Sequence, residues 1–143
     1  MNASTIAQKN ADRKLRALQI AADDHVTRNG QPHQFNVRSQ NGHGNYLAAT
    51  PEIFPPAGKC GCRDHLDFAR HHQILCKHVQ AAIIFEKAEA YAASLAEKHH
   101  ISLDQLESQL LADLSYGVPE TMVTKLMILL HATRRLQQEG EER

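Results

Sequence analysis

At 143 residues the chain has room for one ordinary core and too little for two full domains. Sixteen basic residues balance sixteen acidic ones, so overall charge neither requires nor excludes a polyanionic partner, and the longest apolar runs, "AAIIF" and "LMILL", are too short to span a bilayer. The opening "MNASTIAQKNADRKLRALQIAADD" lacks the apolar stretch of a secretory signal, and three cysteines would leave one thiol over in a disulfide framework. The expected setting is therefore soluble and intracellular, cytoplasmic or, in a eukaryote, nuclear, with no membrane partner.

Charge is uneven along the chain. The residues up to Arg38 carry six basic and three acidic side chains, and Lys59 to Lys77 carry four and two, whereas Val79 to Val118 carry two and six. The front half and the cysteine region suit a phosphate backbone; the segment after them does not.

From Thr5 to about Asn29, Leu15, Leu18, Ala22 and Val26 recur at helical steps, with Lys9, Arg13 and Arg16 on another face. This predicts an amphipathic helix that is stopped by "NGQP". Taken alone, the basic stripe reads as a solvated face. "QFNVRS" and "NYLAAT" alternate apolar and polar residues around Asn41-Gly42, which predicts a β-hairpin, and the proline-rich "PEIFPPAGK" predicts a rigid loop or edge strand before Cys60. From about Leu75 to His99 a long helix is expected, with Ala81, Ile84, Ala88, Tyr91 and Leu95 on its apolar stripe, and His99 and His100 suit its C-terminal end. A second helix should open at a Ser102 cap and bury Leu103, Leu106, Leu110 and Leu114. A last helix starting near Pro119 carries two apolar rows, one of Met122, Leu126, Leu129, Thr133 and Leu136, the other of Val123, Met127 and Leu130. That is more apolar surface than a short exposed helix needs. It reads either as ordinary core or as a face for a second copy or another protein. The expected organisation is an N-terminal helix over 1–30, a small β region with a long helix over 33–90 and on to about 100, a helical hairpin over 101–139, and a frayed tail over 140–143. The fold class is α+β and mostly helical.

All three cysteines fall within "CGCRDHLDFARHHQILCKH". Cys60 and Cys62 are two apart at the end of an extended segment, where alternate side chains share a side. Cys76 and His78 are also two apart and would diverge on a regular helix, so Cys76 should lie just before the helix and His78 in its first turn. The positive helix terminus, with Lys59 and Lys77 close in sequence, favours the thiolate form. Three thiolates and one imidazole form a closed set for one tetrahedral, structural zinc ion. His65, His71 and His72 compete for the fourth position, but His78 shares its helix with Cys76 and is preferred; the other three read as surface histidines. Asp64 reads as a cap of a short helical turn in the loop, or as a hydrogen-bonding neighbour of the site.

The pattern Cys-x-Cys, 13 residues, Cys-x-His, with a hairpin before and a helix after, resembles the SWIM-type zinc finger. "FNVRSQNGHGNYLAA" looks like that family's strand pair, "CGCRD" like its Cys-x-Cys-Pro-Asp, and "CKHVQAAI" like its closing segment, so the resemblance spans about Phe35 to Phe85. Arg63 stands where the family commonly has proline, and the segment before the cysteines is longer and richer in proline than usual. The resemblance implies a ββα finger that binds DNA, a protein, or both.

An enzyme is not expected, because a closed ligand set leaves no coordination position for water or substrate and takes up the lone pairs of Cys76 and His78. Two functional expectations follow. The first is a small zinc protein that binds nucleic acid, DNA above all, with Lys9, Arg13, Lys14, Arg16, Arg38, Lys59, Arg63, Arg70 and Lys77 as phosphate contacts. The second is an interaction adaptor whose last helix engages a second copy or a protein partner. Redox sensing, in which oxidation of Cys60 and Cys62 ejects the metal, is a third and weaker class.

Overall fold

The computed structural model describes residues 2–40 and 44–141, so the Asn41-Gly42 turn lies outside the described residues. The fold is α+β and mostly helical, and the chain divides into two compact units, Met1–Ile84 and Phe85–Arg143.

The first unit opens with helix α1, Ala3–Ala22, whose Asn2 cap accepts a 2.9 Å hydrogen bond from the Thr5 N–H. Its buried face is Arg13, Ala17, Ile20, Ala21 and Ala22, while Leu15 is 67% exposed. The expected apolar stripe through Leu15 is therefore rotated, and a cation lies on the face that goes inward. The expected continuation to Asn29 is also corrected. The helix ends at Ala22, Asp24 adopts a left-handed conformation (φ 59°), and Val26–Arg28 form strand β1. Two β-branched residues, Val26 and Thr27, fit a pleated edge better than a helix end, and their ladder with β2 outweighs the helical periodicity.

Strands β2 (Gln34–Arg38), β3 (Asn45–Ala49) and β4 (Lys59–Cys60) complete an antiparallel sheet in the order β1-β2-β3-β4. The expected pairing of β2 with β3 is present. Val26 faces Val37, Val37 faces Tyr46, Phe35 faces Ala48, and Ala48 faces Cys60. Residues directly opposite share a face, so the register carries a buried row from Val26, Phe35 and Val37 across to Cys60 and places Tyr46 beside it.

The proline-rich segment is mostly turns, ending at Gly58 just before β4. Gly58 has φ 71°, and a Cβ there would stand 2.5 Å from the Ala49 carbonyl oxygen and 2.8 Å from Val79 Cγ1. Only glycine lets the chain pass this close to β3 and to the first turn of helix α2, Lys77–Lys98.

The second unit holds the C-terminal part of α2 with α3 (Leu103–Ser115) and α4 (Glu120–Glu141). Ser102 and Gln105 form a reciprocal capping box, with bonds of 3.1 and 2.8 Å. Leu106 and Leu110 of α3 are buried, as are Ile128, Leu130, Ala132 and Thr133 of α4. In α2 the buried residues of this unit are Phe85, Ala88, Glu89 and Ala92, whereas Tyr91 is exposed, which corrects its place on the apolar stripe. Glu89 is tolerated inside because Arg135 reaches it at 3.3 Å and stacks its guanidinium 3.7 Å from the Phe85 ring centroid. Arg134 and Gln137 bond Glu107 and Asp104 across the α3–α4 hairpin at 2.7 and 2.8 Å. Gly140 and Glu141, expected in a frayed tail, belong to α4, and the rest of that tail lies outside the described residues. Among the described residues no helix is long and apolar enough to cross a membrane.

Replacing Gly58 with alanine is expected to cost about 1–3 kcal/mol from the left-handed backbone alone, before any displacement of β3. Chemical denaturation of the variant followed by circular dichroism checks this, and an unchanged midpoint would show that the close approach is not required.

Candidate metal centre

Cys60 is the last residue of β4, and Cys62 follows after the exposed Gly61. Cys76 immediately precedes α2, and His78 is the second residue of that helix, as the two-residue spacing requires. The Cys76 carbonyl accepts the first helical bond, from the Gln80 N–H at 3.0 Å, and its sulfur accepts the Val79 N–H at 3.4 Å, so this cysteine acts as the N-cap of α2. Cys62 does the same for the short helical turns over 65–72. Its carbonyl accepts from the Leu66 N–H and its sulfur from the His65 N–H at 3.3 Å. Two sulfurs thus sit at helical N-termini, where backbone N–H groups favour negative charge.

All four side chains are buried, and their ligand atoms lie within 4.8 Å of one another. Cys60 Sγ and His78 Nδ1 are 3.6 Å apart. Tetrahedral zinc with thiolates at about 2.3 Å and imidazole at about 2.0 Å would separate its ligand atoms by about 3.5–3.8 Å. The cluster is therefore of the right size and chemistry to hold one metal ion, with a donor set that favours zinc over hard cations. The His78 ring stacks on Tyr46, with centroids 4.5 Å apart and planes at 29°, while its Nε2 is buried without a hydrogen-bond partner. Tyr46 thus sets the ring orientation that aims Nδ1 at the sulfurs. The β alternation placed Tyr46 on the inner face; its contact with His78 depends on how the sheet packs against α2.

In the metal-free cluster the three thiols do not ionise alike. Cys60 and Cys76 share hydrogen bonds with Cys62, which holds Cys62 well below the usual thiol range. The same sharing pushes Cys60 up to about 12 and drives Cys76 upward as well, with burial adding to both.

The segment between the two pairs, expected as a loop with a short helical turn, is helical over 65–72. Ala69 and His65 are buried, which corrects His65 as a surface histidine; His71 and His72 are exposed. Neither of these belongs to the four-residue cluster, and Phe68 packs on His72 at 4.3 Å. Asp64 makes no capping bond. Instead it receives two hydrogen bonds from Arg13, at 2.8 Å from Nε and 2.6 Å from Nη2. Of its two expected roles the cap is corrected and the hydrogen-bonding neighbour agrees with the structure: the carboxylate neutralises a cation that α1 has buried. That pairing raises the pKa of Arg13 despite its desolvation, and the Phe68 ring lies under the guanidinium at 4.7 Å.

The nine cations proposed from sequence fall in different places. Lys9, Arg13, Arg16 and Lys77 line one cleft with Asp12 and Asp64. Lys59 and Arg70 line a separate groove beside Leu47, Phe54 and Leu66. Lys14, Arg38 and Arg63 line neither, and Arg63 lies 3.5 Å from Asp67. Arg13 is corrected as an open phosphate contact, since its side chain is only 10% exposed and its fork is filled by Asp64.

No family model matches the chain, and no curated protein or solved structure is similar to it.

Because metal binds thiolates, and burial and shared hydrogen bonds push Cys60 and Cys76 toward the protonated form, binding should release protons near neutral pH. Apparent affinity should accordingly rise with pH, since alkali removes the competing protons. Calorimetric zinc titrations of the metal-depleted protein in buffers of different ionisation enthalpy check both, and a pH-independent affinity would contradict the assignment.

Proposed function

We propose that this chain is a small, non-enzymatic zinc-finger module of the SWIM type that binds nucleic acid, DNA foremost, through cations next to the finger. The observation that carries the reading is the convergence of Cys60, Cys62, Cys76 and His78 from a strand end and a helix start into one buried cluster. Four protein donors fill a tetrahedral ion and leave no position for substrate, so the ion's role is structural. Bound zinc would contribute on the order of 10 kcal/mol to a region whose strands are two to five residues long and have little stability of their own. The order of hairpin, Cys-x-Cys and Cys-x-His at a helix start supports the family reading. The cations that α1 and α2 bring to one cleft support the nucleic-acid reading.

The purified protein is expected to carry one zinc per chain, and Cys76→Ala or a chelator should unfold the region over 35–75. Its fluorescence anisotropy with labelled single- or double-stranded DNA should show affinity that falls steeply with added salt. Well under one zinc per chain would end the finger reading, and salt-independent, flat anisotropy would end the nucleic-acid reading.

A second reading, a protein-interaction adaptor, is favoured by the apolar side chains that α3, α4 and their connection leave in solvent. Leu111, Tyr116, Met122 and Val123 are all exposed, Tyr116 by 86%. On this reading light scattering gives a mass above the monomer at high concentration, which Tyr116→Ser with Met122→Ser returns to the monomer. A strict monomer at high concentration excludes self-association.

A further inference from the structure

The cleft between α1 and the start of α2 has a volume of about 280 Å³ and lies beside the cysteine cluster. Lys9, Arg13, Arg16 and Lys77 line it against Asp12 and Asp64, four positive charges to two negative. Asp64 and Arg13 neutralise each other, because the carboxylate is held in the Arg13 fork, which leaves Lys9, Arg16 and Lys77 against Asp12, three positive charges to one negative. Arg13 itself is nine-tenths buried, and its remaining Nη1 is buried without a hydrogen-bond partner.

The geometry points to a phosphate-binding site in this cleft, with Lys9, Arg16 and Lys77 as the contacting cations and the Arg13–Asp64 pair as its floor. Two of the three are already positioned by contacts of their own. Lys9 Nζ stands 4.9 Å from the Phe68 centroid, and Lys77 Nζ donates to Gln40 Oε1 at 3.1 Å. Ordering them on a ligand therefore costs less than ordering free lysines. Arg16 lies two helical turns from Lys9, about 10 Å along α1, while Lys77 comes from the opposite wall at the positive end of α2. Cations arriving from separate directions suit a tetrahedral anion, whose oxygens point several ways at once. A planar carboxylate would be served best by an Arg fork, and the fork of Arg13 is taken.

The phosphate has two possible sources, a nucleic-acid backbone or a free phosphomonoester. The proposal rests on the nucleic-acid reading for the first source only. The probes are inorganic phosphate, followed by phosphorus NMR line broadening, and a fluorescein-labelled DNA 20-mer, followed by anisotropy across a salt series. The variants are Lys9→Ala with Arg16→Ala, Asp12→Asn alone, and Arg38→Ala with Lys59→Ala and Arg70→Ala. Zinc content and circular dichroism are measured for each, and Lys77 is left intact because it lies between two ligands.

The Lys9/Arg16 variant is expected to weaken DNA binding about tenfold, to flatten the salt slope by about one, and to abolish phosphate broadening. Asp12→Asn should strengthen binding roughly twofold by removing a like charge from the rim. Phosphate binding that depends on Lys9 and Arg16 while DNA fails to bind supports the cleft, assigns it to free phosphomonoesters, and ends the nucleic-acid reading. DNA binding that survives in the Lys9/Arg16 variant and is lost in the Arg38/Lys59/Arg70 variant, with phosphate broadening absent or unchanged by the Lys9/Arg16 substitutions, overturns the cleft and leaves the nucleic-acid reading standing. Binding of neither probe by the unmodified protein overturns both.

Discussion

Three thiols and an imidazole buried against one another are a poor core. Burial and shared hydrogen bonds push two of the three thiols, Cys60 and Cys76, toward the neutral form. A cation at their centre would reconcile them, and the first unit brings the four side chains close enough to meet around one. Strand β4 is two residues long and would be marginal by itself; it delivers Cys60 into the row begun by Val26 and Phe35. The short helical turns after it and the start of α2 each place a sulfur at their own N-cap. Gly58 lets the approaching chain pass between Ala49 and Val79, and Tyr46 supports the His78 ring from the sheet.

The surrounding charges obey the same constraint from outside. A zinc ion with three thiolates and a neutral histidine carries a net negative charge, and a buried anion is costly unless cations stand near it. Arg13 supplies one from α1, held in place by Asp64 and the Phe68 ring. The cation that looked like part of a solvated stripe is thus a link between the N-terminal helix and the segment joining the two ligand pairs. Its neighbours on α1, Lys9 and Arg16, lie at the cleft's surface. The same helix therefore contributes a buried charge to the fold and further charges to the lining of the cleft.

The site's four donors were legible because their spacing and local structure agree. Alternation in an extended segment brings Cys60 and Cys62 to one side, and a helix start is the place where Cys76 and His78 converge. The helix boundaries given by Ser102 and Pro119 were legible for the same reason, since caps act within a turn. The errors arose where a local signal competed with a distant partner. Val26 fits both a helical stripe and a strand, and pairing with Val37 decided between them. Leu15 and Arg13 exchanged their expected environments, because periodicity shows that a helix has two faces and leaves open which one a carboxylate 51 positions away will draw inward.

By itself the sequence determined the four-residue Cys/His cluster, the helical content, the strand pair and the Ser102 cap, which depend mainly on neighbours a few residues apart. Tertiary structure alone decided that Arg13 is buried on Asp64, that Tyr46 backs His78, that His65 is inside, and that only four of nine cations share a cleft. Those outcomes depend on contacts between elements far apart in the chain. Burial and charge pairing there are worth more than local propensity, and no short-range pattern encodes them.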